Sequence, residues 1–190
     1  MSELHLIYKN IVYNPEFLRE KSANEDFLNQ EHLILGGDSE NIEKVSELFN
    51  LSSDCNIKKL YRTDLVTACF VKYSINTFLA SKVIFFNQLK DIYDKSGALE
   101  KWDNFIEIVS SDNRIGDSHM SVPGHDGRLG YGGACFPKDT AALLKLSKLL
   151  EREFTILKEV IKINNDIRSD YKNLEEREKE QGVSFNIDLD

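Results

Sequence analysis

The sequence predicts a mainly helical chain, with a short α/β segment at its N-terminal end and one long central helix. Three observations carry that expectation. Short apolar runs alternate with turns over the first fifty residues. From Thr63 to Lys95 the chain keeps a helical pattern without an internal proline or glycine. After a glycine-rich stretch, two further helical patterns follow, at about 137–150 and 153–178. The expected organisation is residues 1–60 as the end of a Rossmann-type α/β unit, 61–180 as a helical central domain and 181–190 as a polar tail.

Each element has a local reason. Asn10–Tyr13 and His32–Leu35 read as short strands, and the second runs into Gly36-Gly37-Asp38, a turn signal. Over 39–50, Ile42, Val45, Leu48 and Phe49 recur at helical spacing, with Ser39 or Asn41 as the candidate cap. Thr63-Asp64 suits the start of the long helix, and Gly97 its stop. Val83-Ile84-Phe85-Phe86 interrupts any single apolar stripe on that helix, so several of its sides need cover, a second subunit among the candidates. Leu99, Trp102, Phe105, Ile106 and Val109 predict another helix over 98–110. Residues 111–135 hold Pro123 and six of the ten glycines and read as one long loop, a kind that tends to be functional. The final run Glu175–Glu180 reads as a solvated helix end.

Composition narrows the function classes. A net charge of -8 argues against a general nucleic-acid binder, which needs a basic face for phosphates. No uninterrupted apolar run approaches the roughly 18 residues of a membrane span, and no signal-peptide pattern opens the chain. Cys55, Cys69 and Cys135 are widely spaced and odd in number, which suits reduced thiols in a cytoplasmic setting. His5, His32, His119 and His125 form no metal-ligand pattern with them.

The segment Gly132-Gly133-Ala134-Cys135-Phe136-Pro137-Lys138-Asp139 carries the most chemistry. Glycines let backbone approach a ligand, and Pro137 suits the first turn of a helix. Cys135 would then stand before a helix N-terminus, where the dipole and Lys138 favour a thiolate. Asp139, four residues on, shares its side of the helix and could position water or accept a proton. An ordinary buried cysteine beside a glycine turn fits the same residues. Lys72 and Asn76 also stand four apart on one helix, a cation and an amide suited to an oxyanion.

This segment resembles the active-site motif of the UDP-glucose/GDP-mannose dehydrogenases. Three further stretches resemble that family in the same order: Asn14–Glu20, Lys72–Ala80 continuing to Lys82 and Phe86-Asn87, and Asp112–Gly116. The resemblance covers roughly residues 10–168 and implies oxidation of a nucleotide-sugar C6 alcohol to the acid in two hydride transfers to NAD. It makes Cys135 the nucleophile that forms a thiohemiacetal and then a thioester, with Lys72, Asn76 and Asp139 in support and Glu16 as the base for hydrolysis. It places Phe17, Leu18, Glu20, Arg114, Tyr131, Gly132 and Gly133 at the sugar and Lys138 at the cofactor. Arg114 would come from a neighbouring subunit, and the helical region would pair two copies into a homodimer.

The chain also departs from the family pattern. It holds no Gly-x-Gly-x-x-Gly turn to cradle the NAD pyrophosphate. Cys69 stands where the family usually has a glutamate, three residues before Lys72. The loop Pro123–Gly130 is longer than in many members, and its His125 reads as solvent-facing. The reading is therefore a UDP-glucose 6-dehydrogenase core, with little turnover by the chain alone and separate nucleotide-binding domains as possible partners. A silent dimerisation module and a GDP-mannose enzyme are the alternatives.

Overall fold

The computed structural model describes residues 10–18 and 22–185, which form two compact units, Met1–Ser74 and Ile75–Asp190. The chain is mainly α, with a short N-terminal α/β segment and one long helix.

In the first unit, strand β1 (Val12–Tyr13) lies antiparallel to β2 (His32–Gly37), with Val12 opposite Gly37. Strand β3 (Lys59–Thr63) runs parallel to β2, His32 pairing with Lys59 and Gly36 with Thr63. A parallel pair needs a crossover, supplied here by helix α2 (Ser39–Ser52). Leu33, Ile34, Leu35 and Gly36 are buried in succession, as expected of a strand covered on both faces. Leu33, Leu35 and Ile42 form the core, with Val12, Val45, Phe49 and Leu60 packed around them.

Two expectations need correction here. The strand does not stop at a Gly36-Gly37 turn but continues through both glycines. A Cβ on Gly36 would stand 2.5 Å from the Ala68 Cβ and 2.8 Å from the Asp64 carbonyl, so close approach rather than a turn requires this glycine. Asp38, not Ser39 or Asn41, is the N-cap of α2. Two elements had no sequence signal. Helix α1 (Ala23–Leu28) buries none of its residues, and β3 leaves Lys59, Tyr61 and Arg62 exposed.

Helix α3 (Leu65–Lys95) begins where expected. The Asp64 carboxylate accepts from the Thr67 amide at 2.9 Å and from its hydroxyl at 2.6 Å, an N-cap that holds the Asp64 carboxyl below its usual pKa. Gly97, at φ 79°, follows its end. By length and composition α3 could cross a membrane, with 28% of its most apolar window buried inside the fold. Its buried positions nevertheless include Lys72, Asn76 and Asn87, which suits protein contacts better than lipid.

The second unit contains the rest of α3, α4 (Trp102–Ser110), α5 (Phe136–Leu149), α6 (Thr155–Ser169) and α7 (Glu176–Glu180). Ala80, Ile84, Tyr131 and Val160 form one core cluster; Phe86, Trp102 and Met120 form another. Helix α4 starts at Trp102, four residues later than 98–110 implied, because Lys101 is extended at ψ 151°. The predicted helix over 153–178 is two helices, broken after Ser169. Nor is Glu175–Glu180 simply a solvated end, since Glu178 is wholly buried.

Replacing Gly36 with alanine should destabilise the first unit by about 1–3 kcal/mol, because neither Ala68 nor the Asp64 backbone can retreat freely. A shift of the urea midpoint without a change in slope would show it; an unchanged midpoint would mean that the strand and helix have room to separate.

Candidate active site

The N-terminus of α5 presents a cysteine. Cys135 is its N-cap residue and is exposed, and Pro137 occupies the first turn, where a missing N–H costs nothing. The α5 dipole therefore points its positive end at this sulfur, an arrangement that favours thiolate. Behind it, Asp139 is 1% exposed, and its backbone N–H donates to the Cys135 carbonyl at 2.9 Å. A carboxylate so deep must have partners for both oxygens. The Asn76 amide donates to Oδ2 at 2.5 Å, and the Lys138 ammonium contacts Oδ1. Asp139 thus holds Asn76 and Lys138 in place, and the Lys138 side chain remains about half exposed.

The turn before Cys135 is suspended from buried side chains. The Gly130 N–H donates to Asn87 Oδ1 at 3.0 Å, the Tyr131 N–H to Asn164 Oδ1 at 2.7 Å and the Gly133 N–H to Glu178 Oε1 at 3.1 Å. Arg168 Nη2 donates to the Gly130 carbonyl at 3.1 Å. Gly130 has φ 72°, and a Cβ there would stand 2.6 Å from Asn164 Oδ1, so only glycine serves. Asn164, Arg168 and Glu178 escaped the sequence reading. Asn164 and Arg168 nevertheless continue the buried face Leu157-Val160-Ile161 of α6, and polar residues at apolar positions were the available signal.

The expected sugar contacts separate into two kinds. Gly132 and Gly133 are partly exposed, whereas Tyr131 is 4% exposed and its ring belongs to the core. Its hydroxyl reaches Thr140 Oγ1 at 3.5 Å, and burial pushes the phenol up to about 12. Any part Tyr131 takes at a sugar is therefore through its backbone. Arg114 is exposed and bound to Asp112 at 2.5 Å, which raises the arginine and lowers the aspartate. It borders an apolar groove of about 650 Å³ between α3 and α6, lined also by Phe78, Lys82, Phe85, Ile115 and Ile156. Lys82 anchors the 112–116 segment by donating to the Ile115 carbonyl at 3.0 Å, and burial lowers its pKa. His125 is exposed, as its loop position suggested.

In the first unit, Asn14 Nδ2 donates to the Ile34 carbonyl at 2.9 Å and ties the Asn14–Leu18 segment to β2. Lys72 is nearly buried and meets Glu16 twice, at its carbonyl (2.8 Å) and at Oε1 (2.9 Å). Glu16 Oε2 accepts from the Leu18 N–H at 3.0 Å, and the Lys72 ammonium lies 5.9 Å from the Phe17 ring centre. Glu16 thus supplies the negative charge that Cys69 does not. Burial pushes the Cys69 thiol up, consistent with its packing as a small apolar group. Glu20 lies outside the described residues. Lys72 and Asn76 are successive turns of α3, the first in one unit and the second in the other.

Two features of the described residues bear on metal and nucleotide binding. No group of His, Cys, Asp and Glu could hold a metal ion there. The glycine pair at the end of β2 does not fit a pyrophosphate. Gly36 is filled by Ala68 and Asp64, and a Cβ on Gly37 would meet the Ile11 carbonyl at 2.7 Å.

Comparison with known proteins gives the chain's relatives. The profile of the UDP-glucose/GDP-mannose dehydrogenase family, central domain, matches residues 66–166. A UDP-glucose 6-dehydrogenase of Bacillus subtilis is 37% identical over 162 residues, covering 83% of this chain and 33% of that protein. One from Rickettsia bellii is 36% identical over 157 residues, covering 83% and 35%. The solved UDP-glucose dehydrogenase of Pyrobaculum islandicum is 33% identical with a TM-score of 0.70, covering 82% of this chain and 34% of that one. The chain spans about a third of the length of the relatives it matches.

The Tyr131 phenol provides a pH test. Unfolding exposes a phenol that ionises near 10, whereas the folded one holds its proton to about 12. Its stabilising effect is complete below pH 10 and is lost as pH rises to 12, by about 2–3 kcal/mol. Tyr131→Phe should flatten that part of the stability profile, measured by urea titration at pH 9 to 12; an equal decline in both proteins would rule it out.

Proposed function

The chain belongs to the UDP-glucose/GDP-mannose dehydrogenase family, and on that premise we propose that it is the catalytic middle of a UDP-glucose 6-dehydrogenase. The observation that carries this reading is the exposed Cys135 at the N-terminus of α5, backed by the buried Asn76–Asp139 pair. The Cys135 thiolate adds to a C6 aldehyde; the new S–C bond pushes the carbonyl pair onto oxygen and gives a thiohemiacetal. Lys72 and Asn76 stabilise the oxyanion, and Glu16 removes a proton from the water that later hydrolyses the thioester. Gly132, Gly133, Phe17, Leu18 and Glu20 belong to the sugar side, with Arg114 contributed to a neighbouring copy. Two hydride transfers to NAD complete the family's chemistry. The described residues hold no pyrophosphate cradle, so those transfers need a nucleotide held elsewhere, and Lys138 is its nearest contact in this reading. The preference for UDP-glucose over GDP-mannose rests on the similarity to the relatives above, and the three free thiols suit a cytoplasmic protein.

The same reading includes a homodimer. Phe78, Phe85 and Ile92 are 60–69% exposed and recur every seven residues along α3, the spacing of a helix-pairing seam. A seam of this kind leaves apolar side chains in water unless a second copy covers it.

Three measurements test these proposals. With Cys55 and Cys69 replaced by serine, Cys135 alkylation by iodoacetamide should reach half its maximum below the ordinary thiol value of about 8.5. In the same protein, NAD and UDP-glucose should give no sustained NADH. An ordinary pH profile would favour a silent dimerisation module; steady turnover would overturn the missing-cradle argument. Separately, light scattering should find a dimer that Phe78→Glu with Phe85→Glu converts to monomer, and a monomeric parent would sink the pairing.

A further inference from the structure

The family match ends at residue 166, yet the segment beyond it reaches back to the reactive turn. After α6 the chain reverses, and the five-residue α7 carries Glu178 into the interior with no exposure at all. Both carboxylate oxygens are engaged. Oε2 accepts from the Glu175 N–H at 2.8 Å, closing a capping box, while Oε1 accepts from the Gly133 N–H at 3.1 Å. Arg168, 3% exposed, lies between Glu178 and the turn. Its Nη1 is 3.9 Å from Glu178 Oε1, its Nη2 is 2.7 Å from Asp126 Oδ2, and it also holds the Gly130 carbonyl. A Cβ added at Gly132 would stand 2.9 Å from the guanidinium carbon, so backbone and charge pair are in direct contact. Val183 and Phe185 are buried, Phe185 with its ring 5.8 Å from that guanidinium, and seat the segment.

A buried carboxylate is costly, and a solvated α7 would need no such residue. One of the Glu178 oxygens caps α7 itself, and the other reaches out to the Gly130–Gly133 turn. We propose that Glu178, held by Arg168, is a positioning residue for Cys135: it fixes the Gly133 amide and thereby the direction from which the chain enters α5. The segment after α6 is then part of the reactive centre's support, not a tail. This rests on the reading of Cys135 as the nucleophile.

The test compares the Cys55→Ser/Cys69→Ser parent with Glu178→Gln and with Arg168→Met/Glu178→Met. The glutamine keeps an acceptor for Gly133. The double variant removes the two fully buried charges together, and Asp126, the other partner of Arg168, keeps some exposure to water. Amide exchange and the pH profile of Cys135 alkylation are read on each protein. In the double variant the Gly133 amide should exchange about tenfold faster relative to α3 amides, and the alkylation inflection should move by about one pH unit toward that of a free thiol. Glu178→Gln should retain most of the Gly133 protection. A folded double variant with unchanged Gly133 exchange and an unchanged inflection overturns the positioning role and leaves the nucleophile reading intact. An ordinary thiol profile in the parent overturns the nucleophile reading and the positioning role with it, and is seen before residue 178 is touched.

Discussion

The second unit depends on one constraint: a glycine-rich turn is buried at Gly130 and Tyr131 and half-buried at Gly132 and Gly133, and its N–H and C=O groups need partners there. A loop at the surface would give these groups to water. Here Asn87 from α3, Asn164 and Arg168 from α6 and Glu178 from α7 receive or supply the hydrogen bonds of Gly130, Tyr131 and Gly133. Three helices are thereby tied to one turn, and the turn delivers the chain to the first residue of α5. Apolar packing around Ala80, Ile84 and Val160 brings these helices together, but it is not directional. The hydrogen bonds choose one register among the packings that would bury similar area.

The first unit obeys a constraint of a different kind. Leu33 and Leu35 supply burial on β2, yet the strand's approach to the start of α3 is limited by the absence of a side chain at Gly36. Polar partners matter there chiefly at the rim, where Glu16 and Lys72 pair and Asn14 secures the preceding backbone. A partly exposed pair adds little stability on its own, so the geometry of Lys72 owes more to the burial of its stem than to the charge opposite.

Much of this was legible in the sequence, for reasons that differ by element. Helix α3 announced itself through 31 residues without a breaker, and β2 through the apolar run Leu33-Ile34-Leu35. The place of Cys135 just before a helix was legible because Pro137 suits a first helical turn. Strand β3 was not, since it is stabilised by pairing with β2 and keeps charged residues outward. Glu178 was read wrongly because it sits among charges, and a run of alternating acids and bases looks solvated whichever member turns inward. Burial of one glutamate is decided by Arg168, ten residues earlier, and by a turn much farther away. Neither relation has a periodicity.

The reactive end of α5 then shows how a polar interior and an exposed thiol coexist. Cys135 is in water, while Asp139 in the next turn is almost wholly excluded from it. An uncompensated carboxylate one turn after the cysteine would oppose a thiolate. Buried and bonded to Asn76 and Lys138, it spends its charge on those partners instead. The helix dipole acts on the N-cap position in the direction that favours a thiolate. The network that anchors the turn fixes where that dipole begins. The buried hydrogen bonds that hold the turn also fix where α5 begins, which is why polar residues occupy positions where leucine would have packed as well.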